Sequence, residues 1–223
     1  MRILAISLLL FAGSASAQSL SAVDCDAVKN SMLPVELAYH SQDGTTTVVQ
    51  AYPDKSGNYV VWTRQTLPPD RPNPPVFVTK GIHVDGAIAA AEIWTIFVGK
   101  YAHRTAKYTS EGLPKNFDRR SDVTYKMHAT LTTPGDDTVE EKASTNSYRF
   151  KSEVNVAVGS CMLQAVHGEI DTVNDAARTS HTFQIYFPEL RISATASDAE
   201  PIVDGLRTDF SEIKPVASSA ATR

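Results

Sequence analysis

The sequence predicts an all-β protein, and three observations support this. Apolar and polar side chains alternate along several segments, which is the two-residue period of a strand with one buried face. Turn sequences rich in Gly, Asn and Asp separate these segments, as in antiparallel hairpins. Segments with helical character are scarce. We therefore expect an antiparallel, strongly curved sheet or half-open barrel with one short N-terminal helix.

The alternation is clearest in residues 123–131, where every odd position is apolar or aromatic and every even one is polar. In residues 148–156 the apolar positions are the even ones, and we expect them to share one face with Ser152 as its polar member. The other predicted strands cover residues 35–41, 45–52, 58–67, 76–83, 183–187, 190–196 and 92–109, the last with an interruption near Gly99.

Helix is predicted only at residues 24–31, with Asp24 as the N-cap and Pro34 ending the segment soon after. Residues 1–17 read as a secretory signal peptide, because Arg2 precedes an apolar run and Ala15-Ser16-Ala17 resembles a cleavage site. Removing them leaves 206 of 223 residues. We expect one β-rich domain over residues 18–216 and a flexible tail over residues 217–223.

The two cysteines, Cys25 and Cys161, are expected to form a disulfide, because export exposes them to an oxidising compartment. A redox pair is the alternative, but such pairs usually lie close together in sequence. The predicted location is therefore periplasmic or secreted. The bond would tie the N-terminal segment to a late strand.

Charge and hydropathy narrow the classes of partner. The net charge is −4, and it becomes −5 when the leader with its single Arg2 is removed. An acidic balance argues against nucleic acid as a partner. The apolar run of the leader is too short to span a bilayer and no later stretch comes closer, so the mature protein is not expected to span a membrane.

The sequence contains no recognisable motif for a catalytic nucleophile, a phosphate loop or paired metal-binding cysteines. No catalytic residue and no cofactor are therefore predicted. The one arrangement that suggests chemistry is His167, Glu169 and Asp171, which would share a strand face and could hold a metal ion or place a proton donor. The alternative is an ordinary solvated strand face, and it accounts for the same pattern.

Three short segments of the C-terminal half form a pattern: a Tyr-x-Phe strand at Tyr148 and Phe150, a Gly-x-Cys strand start at Cys161, and a Tyr-x-Pro-Glu-Leu turn at residues 186–190. This pattern resembles that of uncharacterised secreted, β-rich proteins of alphaproteobacteria. Arg191 stands where that pattern has a glycine after the turn. More loosely, the architecture is similar to the half-open β-barrels of periplasmic lipoprotein carriers, and no activity follows from either resemblance.

The leading functional hypothesis is a non-enzymatic periplasmic or secreted binding or carrier protein, whose apolar concave face takes a lipophilic ligand. It depends on apolar strand faces that so little helix cannot cover. One alternative is an envelope-assembly or structural protein that meets an envelope protein and has no small ligand; another is a hydrolase without a recognisable motif. The aromatic side chains that could fill a core or line a groove are Trp62, Trp94, Phe97, Tyr101, Phe150, Phe183 and Phe187.

Overall fold

The computed structural model describes residues 25–26, 34–41, 44–67, 75–115, 117, 120–197 and 208–215; the side chains of residues 41, 196–197 and 208–215 are not described. The predicted leader, the C-terminal tail at 217–223 and most of the predicted helix at 24–31 lie outside these residues. Only Cys25 and Asp26 of that helix are described, which is too short a segment to test it.

Twelve strands make up the described fold, and their positions confirm the predicted all-β class. They are β1 Val35–Ser41, β2 Thr46–Pro53, β3 Tyr59–Thr66, β4 Val76–Val84, β5 Ile88–Val98, β6 Tyr101–Glu111, β7 Val123–Thr132, β8 Val139–Val158, β9 Cys161–Asn174, β10 Thr179–Phe187, β11 Ile192–Ser197 and β12 Thr208–Pro215.

The strands form one antiparallel sheet in which β1 to β11 follow one another in chain order. β12 was not predicted; it returns to pair with the outer edge of β1. The sheet curls until β12 lies against β8 and β11 against β2. The result is nearly closed and barrel-shaped, with one unsealed seam.

The first core joins the two ends of the strand order. It packs side chains of β1–β3 against side chains of β8–β11. Its fully buried members include Leu37, Phe187 and Ile192. The second core lies on the other face of β9 and β10, where Tyr186 and Val166 meet Tyr125 and Tyr148.

Strands β9 and β10 therefore separate two apolar layers. Leu163 and Ala165 of β9 belong to the first core, whereas Val166 and Ile170 pack in the second. All five residues from Phe183 to Phe187 are buried. The expectation that each strand has one solvated face thus fails for β10, which lies next to the β11 end of the sheet and is covered on both faces.

A β-bulge corrects the prediction that the even residues of 148–156 share a face. Phe150 pairs with Gly168, but Ser152 pairs with His167, so β8 has one extra residue at this point. An extra residue shifts the alternation, and the side chains beyond it point to the other face. Tyr148 and Phe150 consequently pack in the second core, and Val154 and Val156 in the first.

The predicted disulfide is confirmed: Cys25 and Cys161 are bonded, with their Cα atoms 5.5 Å apart. Both cysteines pack against or within the first core. In the chain-entropy model, closing a loop of more than a hundred residues stabilises a protein by about 4 to 5 kcal/mol. The bond therefore fixes the N-terminal segment to the start of β9.

The turn between β4 and β5, formed by Asp85, Gly86 and Ala87, is held against β10 and β11. The Tyr186 hydroxyl donates to the Asp85 carbonyl at 2.6 Å, and the Gln184 amide nitrogen donates to the Ala87 carbonyl at 3.0 Å. We call these three turn residues, together with the strand side chains bonded to them, the turn anchor. It fixes one wall of the interior.

Candidate functional site

A cavity of about 310 Å³ lies inside the curved sheet. Its walls come from β1–β5, β7 and β9–β11, together with the β4–β5 turn. Members of both cores bound it, including Val49 and Val61 from the first and Ile88 and Tyr125 from the second. The cavity exists because the wide inner face of the sheet is only partly filled by β10 and β11.

Much of the cavity wall is apolar and aromatic. Trp94 on β5 and Tyr125 on β7 contribute rings, and Met127 and Ile170 contribute aliphatic surface. Trp94 is also packed at 5.5 Å, centroid to centroid, on Phe77. These surfaces could receive the apolar part of a ligand.

Two ionisable side chains face each other across neighbouring strands of the wall. His83 Nε2 lies 3.5 Å from a Glu92 carboxylate oxygen, and their side chains are 14% and 24% exposed. Burial raises the pKa of Tyr125 to about 12, and the negative charge of Glu92 adds to that increase. The carboxylate therefore acts on the cavity electrostatically.

Two buried polar atoms of the wall have no hydrogen-bond partner among the described residues. They are Nδ1 of His83 and Oε1 of Gln184. Gln184 is only 4% exposed, and its amide nitrogen is already bonded to Ala87. A buried acceptor without a partner costs free energy, about 1 to 3 kcal/mol, unless water or a ligand satisfies it.

The candidate residues His167, Glu169 and Asp171 lie outside this cavity wall, on the other face of β9. Glu169 is paired with Lys151 at 2.7 Å. Asp171 is paired with Arg149 and with His181, the latter at 2.6 Å. The hydrogen bond from His181, followed by the charge of Arg149, lowers the pKa of Asp171.

His167 itself is buried, at 7% exposure, with its ring 6.0 Å from that of Phe183. Burial lowers its pKa because the charged ring would be desolvated. Among the described residues, no group of three or more His, Cys, Asp and Glu side chains is placed to hold a metal ion. The two carboxylates already have cationic partners, and a metal site here stays a prediction.

The aromatic side chains singled out from the sequence have different locations. Trp94 lines the cavity, Phe187 is fully buried in the first core, and Tyr101 is 69% exposed. Trp62 lies under the ammonium group of Lys80, 4.7 Å from its ring centroid. These aromatic side chains therefore do not line a single apolar groove.

Sequence reasoning missed His83, Glu92 and Gln184. A signal was present for Glu92, since it precedes Trp94 by two residues and so shares its strand face if the strand is regular. No such signal existed for Gln184, because the burial of both faces of β10 depends on the packing of distant strands.

No helix among the residues that the structure describes is long and apolar enough to cross a membrane. The chain matches no protein-family model, and neither a curated protein nor a solved structure is significantly similar to it. The resemblance to secreted alphaproteobacterial proteins stays a prediction.

Proposed function

We propose that this protein is a non-enzymatic binding protein that holds a small amphipathic ligand in its internal cavity, in the periplasm or another exported compartment. One observation carries the proposal: an interior cavity has apolar and aromatic walls but also buried polar atoms left without partners. Ligand sites in proteins combine these two features. The disulfide is compatible with an oxidising compartment.

The volume of the cavity bears on the kind of ligand. Its 310 Å³ lies near the lower limit of about 300 to 1,000 Å³ for small-molecule sites. At about 30 Å³ for each water molecule in the liquid, it has room for about ten. We therefore narrow the expected lipophilic ligand to a molecule of about ten non-hydrogen atoms, shorter than a long acyl chain.

A titration with a small aromatic alcohol, 2-phenylethanol, tests the proposal. Trp94 lies in the wall, so its fluorescence should change as the cavity fills, and calorimetry should give the same affinity. Ala89→Leu places extra carbon atoms in the cavity and should weaken binding at least tenfold. Ala91→Leu is the matched control, because the bulge opposite residues 82 and 83 turns Ala91 to the outer face beside Ile82.

Binding of equal strength in both variants would contradict the cavity as the site. Absence of any heat at about 10 mM alcohol, a concentration far above ordinary metabolite affinities, would overturn the proposed function. Native mass spectrometry of protein purified from the periplasm adds an independent check. A co-purifying small molecule that is lost in Ala89→Leu is the expected result.

The alternative of an envelope-assembly protein has one observation in its favour. Ile82 and Ile93 are 42% and 47% exposed on neighbouring strands, on the outer face of the sheet. A photo-crosslinking residue at position 93 would test it in cells. A specific protein adduct, absent when the same residue is placed at exposed position 141, would favour this function.

A further inference from the structure

We propose that the cavity selects a small ligand carrying an ammonium group, an aryl or alkyl amine, in preference to a neutral or anionic analogue. This inference rests on the proposed function and names the chemistry of its ligand. It follows from the charge of the wall, from which hydrogen-bonding atoms remain free, and from the rings beside them.

With histidine counted as neutral, the formal charge of the wall is negative. Among the described residues that line the cavity, Glu92 is a carboxylate and none is Lys or Arg. The nearest partner of Glu92 in the wall is His83, at 3.5 Å, which is longer than a good hydrogen bond. A partly buried carboxylate with no Lys or Arg partner in the wall stabilises a positive ligand group and disfavours a negative one.

Two polar side chains of the wall already use their donors on the β4–β5 turn. The Gln184 amide nitrogen and the Ser193 hydroxyl both donate to carbonyls of the β4–β5 turn, Ser193 at 3.2 Å from the Ala87 oxygen. Gln184 Oε1 remains without a partner. An ammonium group has three donors and no acceptor, so it complements a wall in which a carboxylate and an amide oxygen are available.

The orientation of the Gln184 amide is fixed by this network. If the amide were rotated, its oxygen would face the Ala87 carbonyl and two acceptors would be in contact. The turn anchor thus determines that an acceptor, and not a donor, points away from the turn. The rings of Trp94 and Tyr125 supply the apolar surface, and an aromatic face also attracts a cation.

The experiment compares three ligands of nearly equal size by calorimetry at about pH 7: 2-phenylethylamine, 2-phenylethanol and phenylacetate. We expect the amine to bind at least about tenfold more tightly than the alcohol, because a hydrogen bond to a charged group is about twice as strong as a neutral one. The acid should bind most weakly. Equal affinities of the amine and the alcohol for the wild-type protein would overturn the inference.

Glu92→Gln is the decisive variant, since it keeps the shape of the side chain and removes its charge. It should reduce the preference for the amine over the alcohol to within about threefold. Glu111→Gln is the control, because that side chain is 71% exposed and does not line the cavity. A preference for the amine that persists in Glu92→Gln would contradict the role of the carboxylate.

The outcomes distinguish failure of this inference from failure of the proposed function. If the alcohol binds and the amine binds no better, the cavity is a ligand site but not one for amines. If none of the three ligands binds wild-type protein, the proposed function itself fails. If Glu92→Gln does not fold, the ranking of the three ligands on wild-type protein still decides between these outcomes.

Discussion

Two hairpin turns of this sheet each contain a glycine with positive φ but have different surroundings. Gly135 in the β7–β8 turn has φ of 83°, and a Cβ atom there would meet nothing within 4 Å. Gly86 in the β4–β5 turn has φ of 71°, and a Cβ atom there would lie 1.9 Å from the Arg191 carbonyl oxygen. Both turns need a residue that tolerates the left-handed region, but only the second also needs the absence of a side chain.

The two turns differ in whether other strands bind them. The β7–β8 turn is exposed, and its hydrogen bonds are local. The carbonyls of Asp85, Gly86 and Ala87 instead accept hydrogen bonds from β10 and β11. The turn anchor thereby closes one wall of the cavity.

The largest expected effect comes from Gly86→Ala compared with Gly135→Ala. The control should lower the free energy of unfolding by about 1 kcal/mol, which is the cost of a left-handed alanine. Gly86→Ala should lower it by about 3 kcal/mol or more, because the Arg191 backbone must move as well. Urea unfolding measures both free energies. Equal decreases in the two variants would mean that the contact between residue 86 and the Arg191 backbone does not affect stability.

The next effect concerns the hydroxyl of Tyr186, a residue that is 1% exposed. Tyr186→Phe removes the donor to the Asp85 carbonyl and should lower the free energy of unfolding by about 1 to 2 kcal/mol. Tyr101→Phe, at a 69% exposed position, should change it by less than about 0.5 kcal/mol. Similar values for the two variants, measured by the same unfolding experiment, would argue against the turn anchor.

A smaller change in stability is expected for substitutions of Arg191, where an ion pair and backbone strain act in opposite directions. Its φ is 56°, and its guanidinium group lies 3.2 Å from the Asp85 carboxylate. Arg191→Ala loses the ion pair and keeps the backbone strain, whereas Arg191→Gly loses the pair and relieves the strain. We expect the glycine variant to be about 1 kcal/mol more stable than the alanine variant in thermal unfolding. The reverse order would show that the left-handed conformation is not strained here.

The smallest effect belongs to the exposed β7–β8 turn and depends on pH. Hydrogen bonds from the side chain and backbone of Thr138 lower the pKa of Asp136 below its ordinary value of 3.8. Since the folded-state pKa is the lower one, this stabilisation is present above pH 3.8 and is lost as the pH falls through the folded value.

Asp136→Ala should therefore be slightly less stable than wild type at neutral pH and indistinguishable from it in strong acid. The adjacent Asp137→Ala removes a carboxylate from the same turn without removing these bonds. Unfolding curves across the acid range measure the difference. If the difference in free energy of unfolding between wild type and Asp136→Ala does not decrease in acid, the stabilising role of the Asp136 carboxylate is contradicted.

Much of the fold could be predicted because its signals are local. The alternation in residues 123–131 gave β7, and the glycine-containing turns gave the breaks between hairpins. The left-handed conformation of Arg191 was not predicted: its φ is 56°, in the region that glycine favours.

The candidate site could not be predicted in the same way. His167, Glu169 and Asp171 share a strand face, as expected from their spacing. The side chains that pair with the two carboxylates come from neighbouring strands: Lys151, Arg149 and His181. His83 and Gln184 are about a hundred positions apart in the sequence and line one cavity only because the sheet curls. Pairing between distant strands is a property of the whole sheet.

By itself, the sequence determined most of the strands and turns, although not β12, because side-chain period and turn stereochemistry act locally. It also predicted that Cys25 and Cys161 pair, since the chain has two cysteines. Only the tertiary structure decided which face each strand presents: one extra residue beside Phe150 exchanges the faces of β8, and β10 is buried on both sides. The physical reason is that burying apolar surface is favourable whatever the separation of the contacting residues in the sequence. Which polar side chains line the cavity therefore depends on how the sheet closes.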